Sequence, residues 1–137
     1  MTDGKPIISD RELIMEFEAH VLWLRTDGRQ GWRANLQGER LVGKNLMHCN
    51  LIKADLTRAD FSYSDLSNGV FREADLTGAD LTMAYLDYSD FTQAKLPISI
   101  RSCASFRHAQ FTADALPWLV LHPSWSEMRG TVQIIDG

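Results

Sequence analysis

The chain has 137 residues, 45% of them hydrophobic, with a formal net charge of −4 at pH 7. That length predicts one domain, and the acidic balance without a basic stripe argues against direct nucleic-acid binding. The N-terminus is polar and no apolar run approaches about 20 residues, so neither a signal peptide nor a membrane span is predicted, and the expected setting is cytoplasmic. Two cysteines make no disulfide framework, and Cys49 and Cys103 both read as reduced.

In chain order, the first predicted element is a helix. Ser9 and Glu12 form an S-x-x-E capping box. Leu13, Phe17, Val21 and Leu24, joined by Ile14, His20 and Trp23, keep helical spacing, and Gly28 is the expected stop. Residues 1–33 therefore read as a capping helix and linker. The helix is placed over the first coil of the repeat that follows. Coil one is expected to be irregular, because Glu39 and Lys44 stand where a charge would be buried. Regular geometry is expected from about residue 45.

From Leu36 to Leu96 every fifth residue is Leu or Phe, and no Leu or Phe leaves this register. The register returns at Phe106 and Phe111. Five residues of α-helix turn the chain by roughly 500°, which scatters these side chains around the helix. In a strand, an odd step sends successive ones to opposite faces. A bend in every repeat solves the conflict. If each pentapeptide makes one short wall and one corner, four close a square coil with every central residue inward. Stacked coils then pair like parallel strands about 4.8 Å apart. Position i−2 is mostly small (Ala54, Ala59, Ala74, Ala79, Ala84), as a second inward slot needs. Position i−1 is mostly Asp or Asn, which favours turns. Position i+1 is rich in Thr and Ser, which suit an extended outer wall.

Ala54-Asp55-Leu56-Thr57-Arg58, Ala74-Asp75-Leu76-Thr77-Gly78 and Ala79-Asp80-Leu81-Thr82-Met83 resemble the A-(D/N)-L-x-x unit of pentapeptide-repeat proteins. The resemblance covers about residues 34–113. It implies an all-β solenoid: a right-handed quadrilateral parallel β-helix of about four coils, with the N-terminal capping α-helix before it and an apolar tail after it.

The beat fails at Pro97-Ile98-Ser99-Ile100-Arg101-Ser102. Arg101 falls in a central slot, where an unpaired guanidinium is not expected to be buried. Either the wall bulges outward or Ile100 takes the inward place. Residues 114–137 form the tail, with Trp118, Leu119, Leu121 and Trp125 as candidates for a C-terminal cap or a homodimer interface. Related pentapeptide-repeat proteins dimerise through their C-terminal ends, so monomer and dimer both stay open.

No metal-ligand, nucleophile-elbow or phosphate-loop pattern appears. His48 and His108 share a wall but stand three coils apart, too far for one metal. No enzyme activity, cofactor or metal is expected. The outward rows carry the functional candidates. Asp55 stacks with Asp75, and Asp60 with Asp80. Tyr63, Met83, Tyr85 and Tyr88 form an aromatic and methionine surface on two adjacent walls, a composition enriched at protein interfaces. The expected function is a non-enzymatic scaffold that binds a protein partner through flat walls. The alternative comes from the resemblance, which implies for one branch a DNA mimic that binds the type II topoisomerase DNA gyrase and protects it from quinolones.

Overall fold

The computed structural model describes residues 5–136; Met1–Gly4 and Gly137, which belong to the expected end segments, lie outside them. Helix α1 runs Asp10–Arg25. It starts where Ser9 Oγ accepts the Glu12 N–H at 3.2 Å. It ends where Thr26 and Gly28 donate to the Leu22 and Trp23 carbonyls. In the strand-like part, residues at position i−1 pair in parallel with the residue twenty positions on, up to the break after Leu96. Asn35 pairs with Asp55 and Asp55 with Asp75; Asn45 pairs with Asp65, Asp65 with Tyr85, and Tyr85 with Ser105. The chain is therefore a solenoid of twenty-residue coils, each made of four pentapeptides. We number the walls by their central residues: wall one from Leu36, wall two from Leu41, wall three from Leu46 and wall four from Leu51.

Each repeat closes with a turn, for example Ala59 N–H to the Leu56 carbonyl at 3.1 Å and Ala74 N–H to Phe71 at 3.0 Å. The turn demands a left-handed residue at i+2, and Tyr63 (φ 60°), Met83 (φ 58°) and Tyr88 (φ 60°) adopt it. The Asp or Asn at i−1 braces the turn from outside. Asp55 Oδ1 accepts the Thr57 N–H at 3.1 Å and its hydroxyl at 2.7 Å. Asn35 and Asn45 accept the same backbone bond. A wall is too short for a regular strand, since one residue pairs and the next bends away. Among the described residues, extended strands appear only at β1 (Asp90–Phe91), β2 (Gln110–Thr112) and β3 (Gln133–Ile135), paired in parallel in the order β1-β2-β3.

The interior is a column of the repeat's own side chains. Leu41, Leu51, Leu56, Phe61, Leu66, Phe71, Leu76, Leu81 and Leu86 have no exposed surface. On wall four, Phe71 and Phe91 stack at 4.7 Å and Phe91 and Phe111 at 5.7 Å, with rings nearly parallel. This stack explains Gly69 in the small slot below it. A Cβ there would lie 2.5 Å from Phe71 Cε2 and 3.0 Å from the Leu66 carbonyl oxygen, and the stacked ring has no room to yield. Gly69→Ala should cost about 1–3 kcal/mol by overpacking. A urea midpoint equal to wild type would refute that account.

Coil one departs from the sequence expectation. It is regular from Asn35, since Asn35, Arg40, Asn45 and Asn50 all pair with coil two. Glu39 and Lys44 do not enter the core. Glu39 pairs with Lys5 at 3.0 Å, and Lys44 pairs with Asp10. Charges expected to spoil the coil instead tie the N-terminal segment to it.

The break at Pro97 resolves in favour of Ile100, which is fully buried, while Arg101 is exposed on a short 3₁₀ turn over Ile98–Ser102. That turn displaces the backbone that would pair with wall two. Ser99 fills the place: its Oγ accepts the Leu81 N–H at 3.0 Å and donates to the Ala79 carbonyl at 2.8 Å. Beyond Phe111, helices α2 (Leu116–Leu119) and α3 (Trp125–Met128) lead back to β3, with Leu119 and Met128 buried against the last coil.

Both ends leave backbone groups that no further coil can satisfy. At the start, Ile7 pairs with Arg40, and Arg33 Nε donates to the Lys53 carbonyl at 2.6 Å. His20, fully buried on α1, takes two more groups. The Ala34 N–H donates to Nδ1 and Nε2 donates to the Ile52 carbonyl, both at 2.8 Å. The ring is therefore neutral with its proton on Nε2. At the far end His122 repeats the arrangement. The Ser124 N–H donates to its Nδ1 at 3.0 Å, and its Nε2 donates to the Cys103 carbonyl at 2.7 Å.

Candidate functional site

The candidate surfaces are built by one device, the turn at i+2, which throws a side chain outward once per repeat. Gly38, Gly43 and Gly78 meet its left-handed geometry without strain. A side chain with a Cβ costs roughly 1 kcal/mol more there. Tyr63, Met83 and Tyr88 adopt this geometry with side chains that are 65%, 45% and 61% exposed. Tyr85, at i−1 on wall three, is 50% exposed and takes the slot that holds Asp65 one coil earlier. The structure thus brings Tyr63, Met83, Tyr85 and Tyr88 onto adjacent walls two and three. Tyr88 also stacks on His108 one coil later, centroids 4.6 Å apart and rings 12° from parallel. The twenty-residue separation of these two residues puts them in one ladder, and the fold brings their rings into the stack.

The aspartates read differently. Asp60, Asp75 and Asp80 each use Oδ1 to hold the backbone N–H two residues on, at 3.0, 3.0 and 2.9 Å, as Asp55 does. The stacks Asp55 with Asp75 and Asp60 with Asp80 are direct pairs between coils. Asp75 is held below the usual carboxylate range, chiefly by the Thr77 hydroxyl, with a smaller contribution from Lys95. Asp90 is also low: burial opposes the charge, but hydrogen bonds from Thr92 and the Arg72 ion pair at 2.6 Å outweigh it. Basic side chains interrupt the acidic rows on wall one and wall four, where Arg58, Arg72 and Lys95 stand.

The tail candidates separate. Leu119 is buried, and Trp125 is half-buried with its ring 6.3 Å from Phe106. Trp118 and Leu121 are 40% and 53% exposed. β3 forms the outer edge of its sheet, with Ile134 and Ile135 partly exposed.

Burial pushes the thiols of Cys49 and Cys103 up to about 12, so both stay protonated and poor nucleophiles at neutral pH. Among the described residues, no three His, Cys, Asp or Glu side chains converge as a metal site would require. No helix among them is long and apolar enough to cross a membrane. A groove of about 590 Å³ lies between α1 and coil one, lined by Leu13, Ile14, Phe17, Val21, Met47 and the Asp10–Lys44 pair. Sequence reading missed it, because the two surfaces that make it are about thirty residues apart and only packing joins them.

The family model for pentapeptide repeats matches residues 33–68 and 54–93, with 8 copies. A pentapeptide repeat protein from Nostoc Pcc 7120 is similar in fold over 96% of this chain and 100% of its own, at 22% identity and a TM-score of 0.50. A pentapeptide repeat protein of the Arabidopsis thaliana thylakoid lumen aligns over 57% of this chain and 50% of its own, at 29% identity and a TM-score of 0.46. QnrB1, a plasmid-mediated fluoroquinolone resistance protein, aligns over 72% of this chain and 47% of its own, at 18% identity and a TM-score of 0.36. The chain thus spans about half the length of these last two proteins. A search of curated proteins gives no match. The five-residue register, the twenty-residue coil and the family match fall on the same residues, and residues 33–93 carry the repeats of the pentapeptide-repeat family.

Proposed function

We propose that this protein is a non-enzymatic scaffold that binds a protein partner through its outer walls, wound in the right-handed square sense that the family resemblance implies. Pentapeptide-repeat proteins often mediate protein interactions and are generally non-enzymatic. One observation supports the reading above the others. Tyr63, Met83 and Tyr88 are bulky, exposed and held at a backbone angle that glycine would adopt more cheaply. Exposed Tyr and Met on a flat rigid wall are characteristic of interface cores.

The test uses a variant that the ladder already tolerates. Gly43 holds the slot one coil before Tyr63, and Asn68 the slot one coil before Tyr88. The double change Tyr63→Gly and Tyr88→Asn should therefore leave the thermal midpoint unchanged or raised, while a partner retained from host lysate by the wild type is lost. A variant that retains every partner would sink the reading.

DNA mimicry is the second reading, favoured by the direct stacks Asp55 with Asp75 and Asp60 with Asp80. It asks for a continuous negative face, whereas Arg58 and Arg72 break the rows beside Asp55, Asp75 and Asp90. A supercoiling assay with purified gyrase separates the two. Inhibition or quinolone protection at micromolar protein would favour mimicry, and neither effect is expected of the scaffold.

A further inference from the structure

The walls of coil one have no earlier coil to pair with, and the N-terminal segment covers their edges unequally. On wall two the chain supplies its own strand: Ile7 pairs in parallel with Arg40, and the Ile8 N–H donates to the Arg40 carbonyl at 3.0 Å. On wall four His20 takes the Ile52 carbonyl. Wall three has no such cover. One coil later on that wall, the Asp65 carbonyl accepts the Leu46 N–H at 2.8 Å and the Ser67 carbonyl accepts the His48 N–H at 3.1 Å, while the Asp65 N–H donates to the Lys44 carbonyl at 2.9 Å. The equivalent groups in coil one are the carbonyls of Asn45 and Met47 and the Asn45 N–H. None of them has a partner among the described residues. The groove of about 590 Å³ runs along this edge, between residues 44–50 and α1.

We propose that this groove seats an extended, apolar segment of a protein partner, which adds a parallel strand to the coil-one edge of wall three. The inference goes beyond the scaffold reading, which concerns the outer walls, and stands apart from it. Three features choose this occupant. An open strand edge is a template for another chain, and an extended backbone answers all three open groups. It brings two N–H groups, two residues apart, to the carbonyls of Asn45 and Met47, and a carbonyl to the Asn45 N–H. The groove is apolar, with Leu13, Ile14, Phe17 and Val21 of α1 and Met47 of the wall in its lining. Its charged residues, Asp10 and Lys44, are paired with each other, so a charged segment finds no counter-ion there and its burial is costly. The neighbouring wall supplies the precedent: Ile7 and Ile8 form an apolar pair of residues that covers the same coil in the same parallel sense. The groove on the other side of α1 is a poorer seat, at about 280 Å³ and with Glu12, Glu16 and Glu39 in its lining. Wall three bends away at His48, where φ is 63°, so the paired stretch is residues 45–47 and the segment is short.

The test measures fluorescence anisotropy of a labelled peptide, Lys-Thr-Val-Ile-Val-Thr-Lys, against the full chain, beside the same peptide N-methylated at its central residues. Methylation keeps the side chains and charges and removes the strand's donors. The plain peptide should bind, and the methylated one should bind about tenfold more weakly, the size expected when two backbone hydrogen bonds are lost. Ile14→Glu sets a charge in the groove from an exposed position and should weaken the plain peptide about tenfold at an unchanged thermal midpoint. Met15→Glu, next on the helix, exposed and outside this groove, should leave binding unchanged. Amide exchange of the wild type gives a reading that needs no variant: the Asn45 N–H should exchange about tenfold more slowly with the peptide bound.

Equal binding of the two peptides would make the groove a seat for apolar side chains without a strand, and would overturn the proposal. Equal weakening by Met15→Glu would overturn it too, since charge at the end of the rod would then matter and not contact in the groove. The same holds if the plain peptide fails to bind at millimolar concentration, or binds and leaves Asn45 exchange unaltered.

Discussion

Phe91→Ala should cost about 3–5 kcal/mol, the range for deleting a fully buried aromatic side chain, and move the urea midpoint by about 2 M at a typical slope for a small domain. The size follows from where the ring sits. Phe91 is the middle of the wall-four stack, 4.7 Å from Phe71 and 5.7 Å from Phe111. Its removal opens a void between two coils and strips a partner from each neighbour. In a solenoid each coil touches only the coils above and below, so stability is a sum of repeat and neighbour terms. No distant part of the core closes the gap. Phe91→Leu is the discriminating control. Leu51 holds the same slot in coil one with no exposed surface, so Leu is shaped for this wall, and its cost should stay below about 1.5 kcal/mol. Chemical denaturation of the two variants decides the matter. Equal damage from Leu and Ala would show that stacking geometry, not filled volume, governs the wall.

His20→Ala should cost about 2–6 kcal/mol, because it strands the Ala34 N–H and the Ile52 carbonyl, each worth about 1–3 kcal/mol when buried without a partner. The same residue gives a pH dependence with a definite sign. Burial, more than any other cause, holds the imidazole below its ordinary 6.5, with Arg33 acting in the same direction and the Ile52 carbonyl and Glu16 opposing. The folded ring is neutral while the unfolded ring takes up a proton near pH 6.5. The unfolded state then binds more protons, so stability falls as pH drops. Its contribution is complete above about pH 6.5 and is lost as pH falls through that value toward the lower folded pKa, at no more than about 1.4 kcal/mol per pH unit. His20→Gln keeps a donor and an acceptor but does not titrate. Unfolding free energies of wild type and His20→Gln should therefore converge between pH 7 and pH 5. A constant difference across that range would remove His20 as the titrating group. Asp75 acts in a separate window. Its carboxyl is held low by Thr77, so its contribution is lost only under more acidic conditions, as pH falls through its folded value.

The core was legible from the sequence because one residue type at one spacing admits one solution. A Leu or Phe at every fifth position cannot face one side of a helix or a strand, so Leu36 through Phe91 had to line a bent coil. The aspartates at i−1 were legible as turn formers for the same reason. Coil one was misjudged because Glu39 and Lys44 were read by slot alone. Their partners, Lys5 and Asp10, are 34 residues away in each case, and no local pattern connects them. The capping bonds were hidden in the same way. His20 stands on an apolar helix face, and nothing nearby in sequence shows that the Ala34 N–H and the Ile52 carbonyl converge on its two nitrogens. The 97–105 break was visible as a fault, but Ser99 as its repair was not, since the vacancy it fills is set by Ala79 and Leu81 one coil earlier.

Sequence by itself determined the coil, its period and the identity of its inward residues, because steric periodicity is a local property repeated many times. The tertiary structure decided what happens where the repetition stops: which groups satisfy the open ends, that Ile100 rather than Arg101 turns inward, and which outward residues become neighbours. Those outcomes depend on contacts between residues about twenty or more positions apart. The five-residue beat is silent there, because it constrains the inward slots and the turns and not the residues that meet where the repetition stops.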